Sequence, residues 1–175
     1  AVSLYVPIVS FITSFFIALP LAWYSAKFNR KASILVTVVS IGISFFIGGL
    51  LAVPISMIHA LLGLVIGDAI RMKKSKLFML LSTVIVLLAT IVIQYVVVVL
   101  LFGVNPVKEL LTIASNQYDQ IGALLERYNA LPNNYDNTVA EILFMFETVI
   151  PSILIISVFL LVIVFINILL PVLKR

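Results

Sequence analysis

Charge is missing from four long stretches of this chain: residues 1–26, 32–67, 77–107 and 148–173 contain no Asp, Glu, Lys or Arg. An α-helix needs roughly 20 apolar residues to cross about 30 Å of hydrocarbon. Each stretch is long enough to span, and 32–67 is long enough to span twice. Within a bilayer every backbone polar group must find its partner inside the segment, which leaves the helix as the fold for such runs. The expectation is an all-α, polytopic transmembrane helix bundle.

Composition agrees and narrows the function classes. The chain is 63% hydrophobic and 10% charged, outside the usual range of soluble domains. Its formal charge of +4 does not point to nucleic acid, because the cations sit at helix ends and no basic groove interleaved with aromatics is present. With no Cys, thiol chemistry and thiolate metal sites are excluded. The single His59 makes a histidine metal site unexpected, and no cofactor is implied. HExxH, GxSxG and phosphate-loop patterns are absent, and Ser56 one turn before His59 lacks an orienting acid. The chain reads as a non-enzyme.

Glycine, proline and charge divide the stretches. The expected spans are 11–27, 32–49, 54–71, 77–102 and 138–170. Pro20 lies inside the first, with Trp23 and Tyr24 as an interfacial anchor near its end. Gly48, Gly49 and Pro54 mark a tight turn between the second and third. Asn105-Pro106 is a cap followed by a favoured first-turn proline. It opens a different element, in which Val107, Leu110, Leu111, Ala114, Tyr118, Ile121, Leu125 and Tyr128 recur at helical spacing among polar residues. This is an amphipathic helix expected to end near Leu131-Pro132, within a polar segment over 104–137. Thr138 and Glu141 form a capping-box pattern that is expected to start the last span, with Pro151 as a kink. The chain is expected to be a single transmembrane domain and, from its mid-pattern start, a piece of a longer protein.

One alternating topology gathers Lys27, Arg30, Lys31, Arg71, Lys73, Lys74, Lys76, Lys174 and Arg175 on one side. Loops rich in Lys and Arg stay cytoplasmic. The amphipathic helix between the last two spans is then extracellular, where its apolar stripe would lie on the membrane or cover the bundle mouth.

Few polar residues fall within the spans, and intramembrane polar groups are candidate sites. His59 would either bond a neighbouring helix or face a ligand. Gln94 and Tyr95 would line a cavity with His59 or bond across helices. Glu147 is a solvated carboxylate or a ligand contact at the outer end of the last span. Asp68 and Arg71 fit an i,i+3 pair. Gly63 and Gly67 have the spacing that lets helices approach closely, and Ser40, Gly42 and Ser44 offer a similar contact.

The stretches Ser3-Leu-Tyr-Val-Pro-Ile-Val9, Ala18-Leu-Pro-Leu-Ala22, Gly48-Gly-Leu-Leu-Ala-Val-Pro54 and His59-Ala-Leu-Leu-Gly-Leu-Val-Ile-Gly67 resemble the YybS-like family of predicted bacterial multi-pass membrane proteins. That family is similar in fold to the substrate-binding S components of energy-coupling-factor vitamin transporters. The resemblance implies a protein of the bacterial cytoplasmic membrane that captures a small molecule near its outer face and docks onto membrane partners. His59, Gln94, Tyr95 and Glu147 would then contact the ligand, with Tyr5 near the entrance. The alternative is a non-transport scaffold or regulatory subunit that works by associating with another membrane protein. Either way the lipid bilayer is the first partner.

Overall fold

The computed structural model describes the backbone of residues 7–173 and the side chains of residues 16–173. Six helices follow in order: α1 (Pro7–Lys27), α2 (Arg30–Gly48), α3 (Ala52–Arg71), α4 (Lys76–Phe102), α5 (Pro106–Arg127) and α6 (Tyr135–Leu173). No strand occurs among the described residues. By length and composition, α2, α3, α4 and α6 can each cross a bilayer. The all-α, polytopic architecture is thus the one expected. Tyr5, placed at the entrance from sequence, lies outside the described residues.

The chain forms two compact units. The first comprises Ala1–Val92 and Ser157–Arg175, the second Ile93–Ile156.

In the first unit, α1 lies against α3, α2 against α3, and α1 less extensively against α2. Asn29 caps α2, its side chain accepting from the Ala32 amide at 2.8 Å. Gly49 closes α2 with φ +67°, a left-handed conformation that costs glycine nothing. Its amide bonds Phe45 O at 2.9 Å and its carbonyl accepts from the Ala52 amide at 3.2 Å. The chain therefore reverses within three residues, and α2 and α3 form the expected hairpin, with Pro54 in the first turn of α3.

α3 ends when Lys73 takes φ +53°. The Lys74 amide then reaches back to Ala69 O at 3.0 Å, the bonding pattern of a left-handed helix stop. At the close of α1, where the sequence suggests an interfacial anchor, Lys27 lies 4.3 Å from the Trp23 ring centroid and Phe28 stacks on Tyr24 at 4.4 Å. In the same unit, α4 buries Met79, Thr83, Val84 and Leu87, and α6 buries Val158, Val162, Phe165, Ile166 and Leu169. Each set recurs at three- and four-residue steps, forming one stripe per helix.

The second unit is built on α5. Asn105 Oδ1 accepts from the Val107 and Lys108 amides at 3.0 and 3.2 Å, so the expected cap is present, with Pro106 at the first helical position. Two sequence expectations need correction here. The amphipathic helix stops at Arg127, short of Leu131, because Asn129 adopts φ +52° and the Ala130 amide bonds Leu125 O at 2.9 Å. Asn tolerates that conformation better than most residues. The last helix begins at Tyr135, before Thr138. The Thr138 hydroxyl donates to Asn134 O at 3.0 Å, which is a mid-helix back-bond rather than the capping box.

Candidate functional site

The most closely built feature is the seam between α1 and α3. A Cβ on Gly63 would fall 2.6 Å from Ala18 O and 3.1 Å from the Ala22 amide nitrogen. On Gly67 it would meet Ala22 O and, at 2.6 Å, the Cβ of Ser25. Contacts advance along both helices together, so α1 and α3 run parallel. Small residues four apart on each helix let the backbones touch. Ser25, almost fully buried, locks the seam by donating to Leu64 O at 2.9 Å. The close approach expected of Gly63 and Gly67 is therefore present. For Ser40, Gly42 and Ser44, no such approach occurs among the described residues at Gly42, where a Cβ would meet nothing within 4 Å. Ser40 and Ser44 instead donate to Val36 O and Ser40 O of their own helix, at 2.8 and 2.9 Å. Such back-bonds satisfy a hydroxyl without any neighbour.

At the ends of α1 and α3, Asp68 pairs with Arg71, the i,i+3 partner expected, and lies 3.8 Å from Arg30 Nε at the start of α2. Arg71 also donates to Phe28 O. One carboxylate thus ties the end of α3 to the turn between α1 and α2.

The ligand-contact candidates divide between the two units. His59, on α3 in the first unit, is half-buried. Its Nδ1 is 2.8 Å from Ile55 O. A carbonyl can only accept, so Nδ1 carries a proton. The Phe165 ring lies beside it, with centroids 6.3 Å apart. In the second unit, Tyr95 is exposed and donates to Asn105 Oδ1 at 3.2 Å. It therefore braces the cap of α5. Gln94 is half-buried and already engaged, and Glu147 is exposed on α6. No group of His, Asp and Glu suited to a metal occurs among the described residues.

Five cavities lie apart from these positions. In the first unit, one of about 570 Å³ lies between α1 and α2, lined by Pro20, Trp23, Tyr24, Val36 and Ser40 among others. Another, of about 320 Å³, reaches from Arg30 and Asp68 to Phe78 and Ser82. Two smaller ones, near Lys76, adjoin α6. The second unit holds one of about 280 Å³ between α5 and α6, lined by Leu110, Leu111, Ala114, Gln117, Tyr118 and Ile121 of α5 and by Phe146 and Ile150 of α6. His59, Gln94, Tyr95 and Glu147 line none of the five.

Two polar contacts were not expected from the sequence. Lys76 Nζ donates to Asn167 Oδ1 at 2.7 Å; an Asn inside an otherwise apolar run was the available signal. The Tyr135 hydroxyl donates to Tyr118 O at 2.7 Å, and its ring stands 3.0 Å from where a Cβ on Gly122 would be. This contact holds α5 against the start of α6.

No curated protein and no solved structure matches the chain. Residues 1–175 match the family described as "Predicted membrane protein (DUF2232)". The chain, with its apolar helices and small-residue seam, belongs to that family of predicted membrane proteins.

Proposed function

We propose that this protein is a non-enzymatic subunit of a membrane assembly and that it works by association, with the amphipathic helix α5 as its contact element. The observation that carries this reading is the half-covered apolar face of α5. Leu111, Ala114 and Tyr118 are half-buried on the side that lines the groove with Phe146 and Ile150 of α6. On the adjoining strip of the same face, Leu110, Ile113, Ile121 and Leu124 are between 47% and 60% exposed. A continuous apolar strip beside a partly filled groove suits a second helix that lays its own apolar residues there. The test is photo-crosslinking in cells, with the probe at Ile113 or Ile121 and, as control, at Asp119 on the polar face. Association predicts a discrete adduct with another membrane protein from the apolar positions alone. Adducts only within the chain, or only with lipid, would overturn it.

Capture of a small molecule is the second reading, favoured by His59. In α3, a helix apolar enough to span, this imidazole has Nδ1 engaged on its own helix, which leaves Nε2 for a polar group of a ligand. A vitamin-like compound that raises the melting temperature of the purified protein, but not that of a His59→Ala variant, would support capture. No shift across such compounds would count against it.

A further inference from the structure

We propose that the turn between α3 and α4 is a binding site for the phosphate of an anionic phospholipid headgroup. A cavity of about 240 Å³ in the first unit is lined by Ile70, Lys73, Lys74, Lys76, Met79 and Leu170. Its chemistry is divided. Three lysines within one turn form a cationic rim, while Ile70, Met79 and Leu170 supply an apolar floor from three helices. A phospholipid has the same division, an anionic group attached to hydrocarbon, and basic pockets between membrane helices take such headgroups.

The positive-inside tendency alone would account for lysines in this loop. It would not account for their gathering around an apolar-floored cavity, nor for two further features. The one acid among the described residues of this unit, Asp68, is already held by Arg71 and approached by Arg30. The turn itself contains no carboxylate to neutralise the lysines. In addition, Lys73 occupies the left-handed position that stops α3, with φ +53°. Glycine is the usual residue there, because an L side chain is strained in that conformation. The chain keeps a cation where backbone geometry alone favours glycine. Lys76, by contrast, is oriented by its bond to Asn167, and Lys74 lies 5.4 Å from the Phe78 ring centroid.

The test is native mass spectrometry of the full chain released from detergent, titrated with phosphatidylglycerol or phosphatidylcholine. A Lys73→Gln/Lys74→Gln variant is compared with Lys27→Gln/Lys31→Gln, which removes the same charge away from the cavity. The proposal predicts retained phosphatidylglycerol in preference to phosphatidylcholine. It predicts weakening of roughly fivefold per lysine removed, about 20- to 30-fold for the Lys73/Lys74 pair, and little change in the Lys27/Lys31 control. Equal weakening in both variants would overturn it by showing diffuse attraction. Equal retention of the two lipids would overturn it as well. Complete displacement by excess inorganic phosphate would assign the site to the free ion and contradict a lipid.

Discussion

Gly63 of α3 faces the carbonyl of Ala18 so closely that a single added methyl would stand 2.6 Å from that oxygen. The two nearest atoms are backbone, so the helices would have to separate. Gly63→Ala should therefore destabilise the protein by about 1–3 kcal/mol, the usual cost of overpacking a close contact. Gly67→Ala should do the same, since Ala22 O and Ser25 Cβ occupy the space. Gly42→Ala is the control, for nothing lies near it. It should be neutral or stabilising by up to about 1 kcal/mol through helix propensity. Melting temperatures in one detergent would separate the three.

Asp68 is the shared partner of two cations that differ in exposure. Its side chain is 16% exposed, against 24% for Arg71 and 72% for Arg30. Asp68→Asn leaves a partly buried guanidinium without its counter-charge, and should cost about 1–2 kcal/mol, between the values for exposed and buried pairs. Arg30→Gln removes only a solvated, long contact and should cost less than about 1 kcal/mol. Equal losses in thermal unfolding would contradict this ranking.

Tyr135 holds α5 by one hydrogen bond and by the fit of its ring at Gly122. Tyr135→Phe keeps the ring and removes about 1 kcal/mol of hydrogen bonding. Amide exchange should quicken in α5 while the α1–α3 seam keeps its protection. Faster exchange throughout the protein would show that α5 is not held locally.

Sequence made the helices legible wherever backbone chemistry decides: the Asn105-Pro106 start of α5, the glycine turn before α3, and the i,i+3 pair of Asp68 and Arg71. Each depends on residues within one turn of each other. The Gly63–Gly67 seam was legible as a capacity, since only small residues permit such an approach, but its partner on α1 was not. Ser40, Gly42 and Ser44 show why: among the described residues nothing lies near Gly42, and each serine bonds its own helix. Thr138 misled for a related reason. Its hydroxyl can cap a helix or bond the carbonyl four residues back, and the second option holds once the helix begins at Tyr135. The candidate ligand residues were chosen as polar groups in apolar helices. Tyr95 is instead committed to the Asn105 cap, a tertiary bond that periodicity does not encode.

From the charge pattern, the basic turns and the polar loop before α6 are expected on opposite faces of the bilayer. Because the chain has no native cysteine, single cysteines report cleanly. Lys74→Cys and Asn133→Cys, both at exposed positions, should be tested on intact cells with a membrane-impermeant maleimide. The account predicts labelling at position 133 without permeabilisation, and at position 74 only after it. Labelling of both positions from the same side would contradict it.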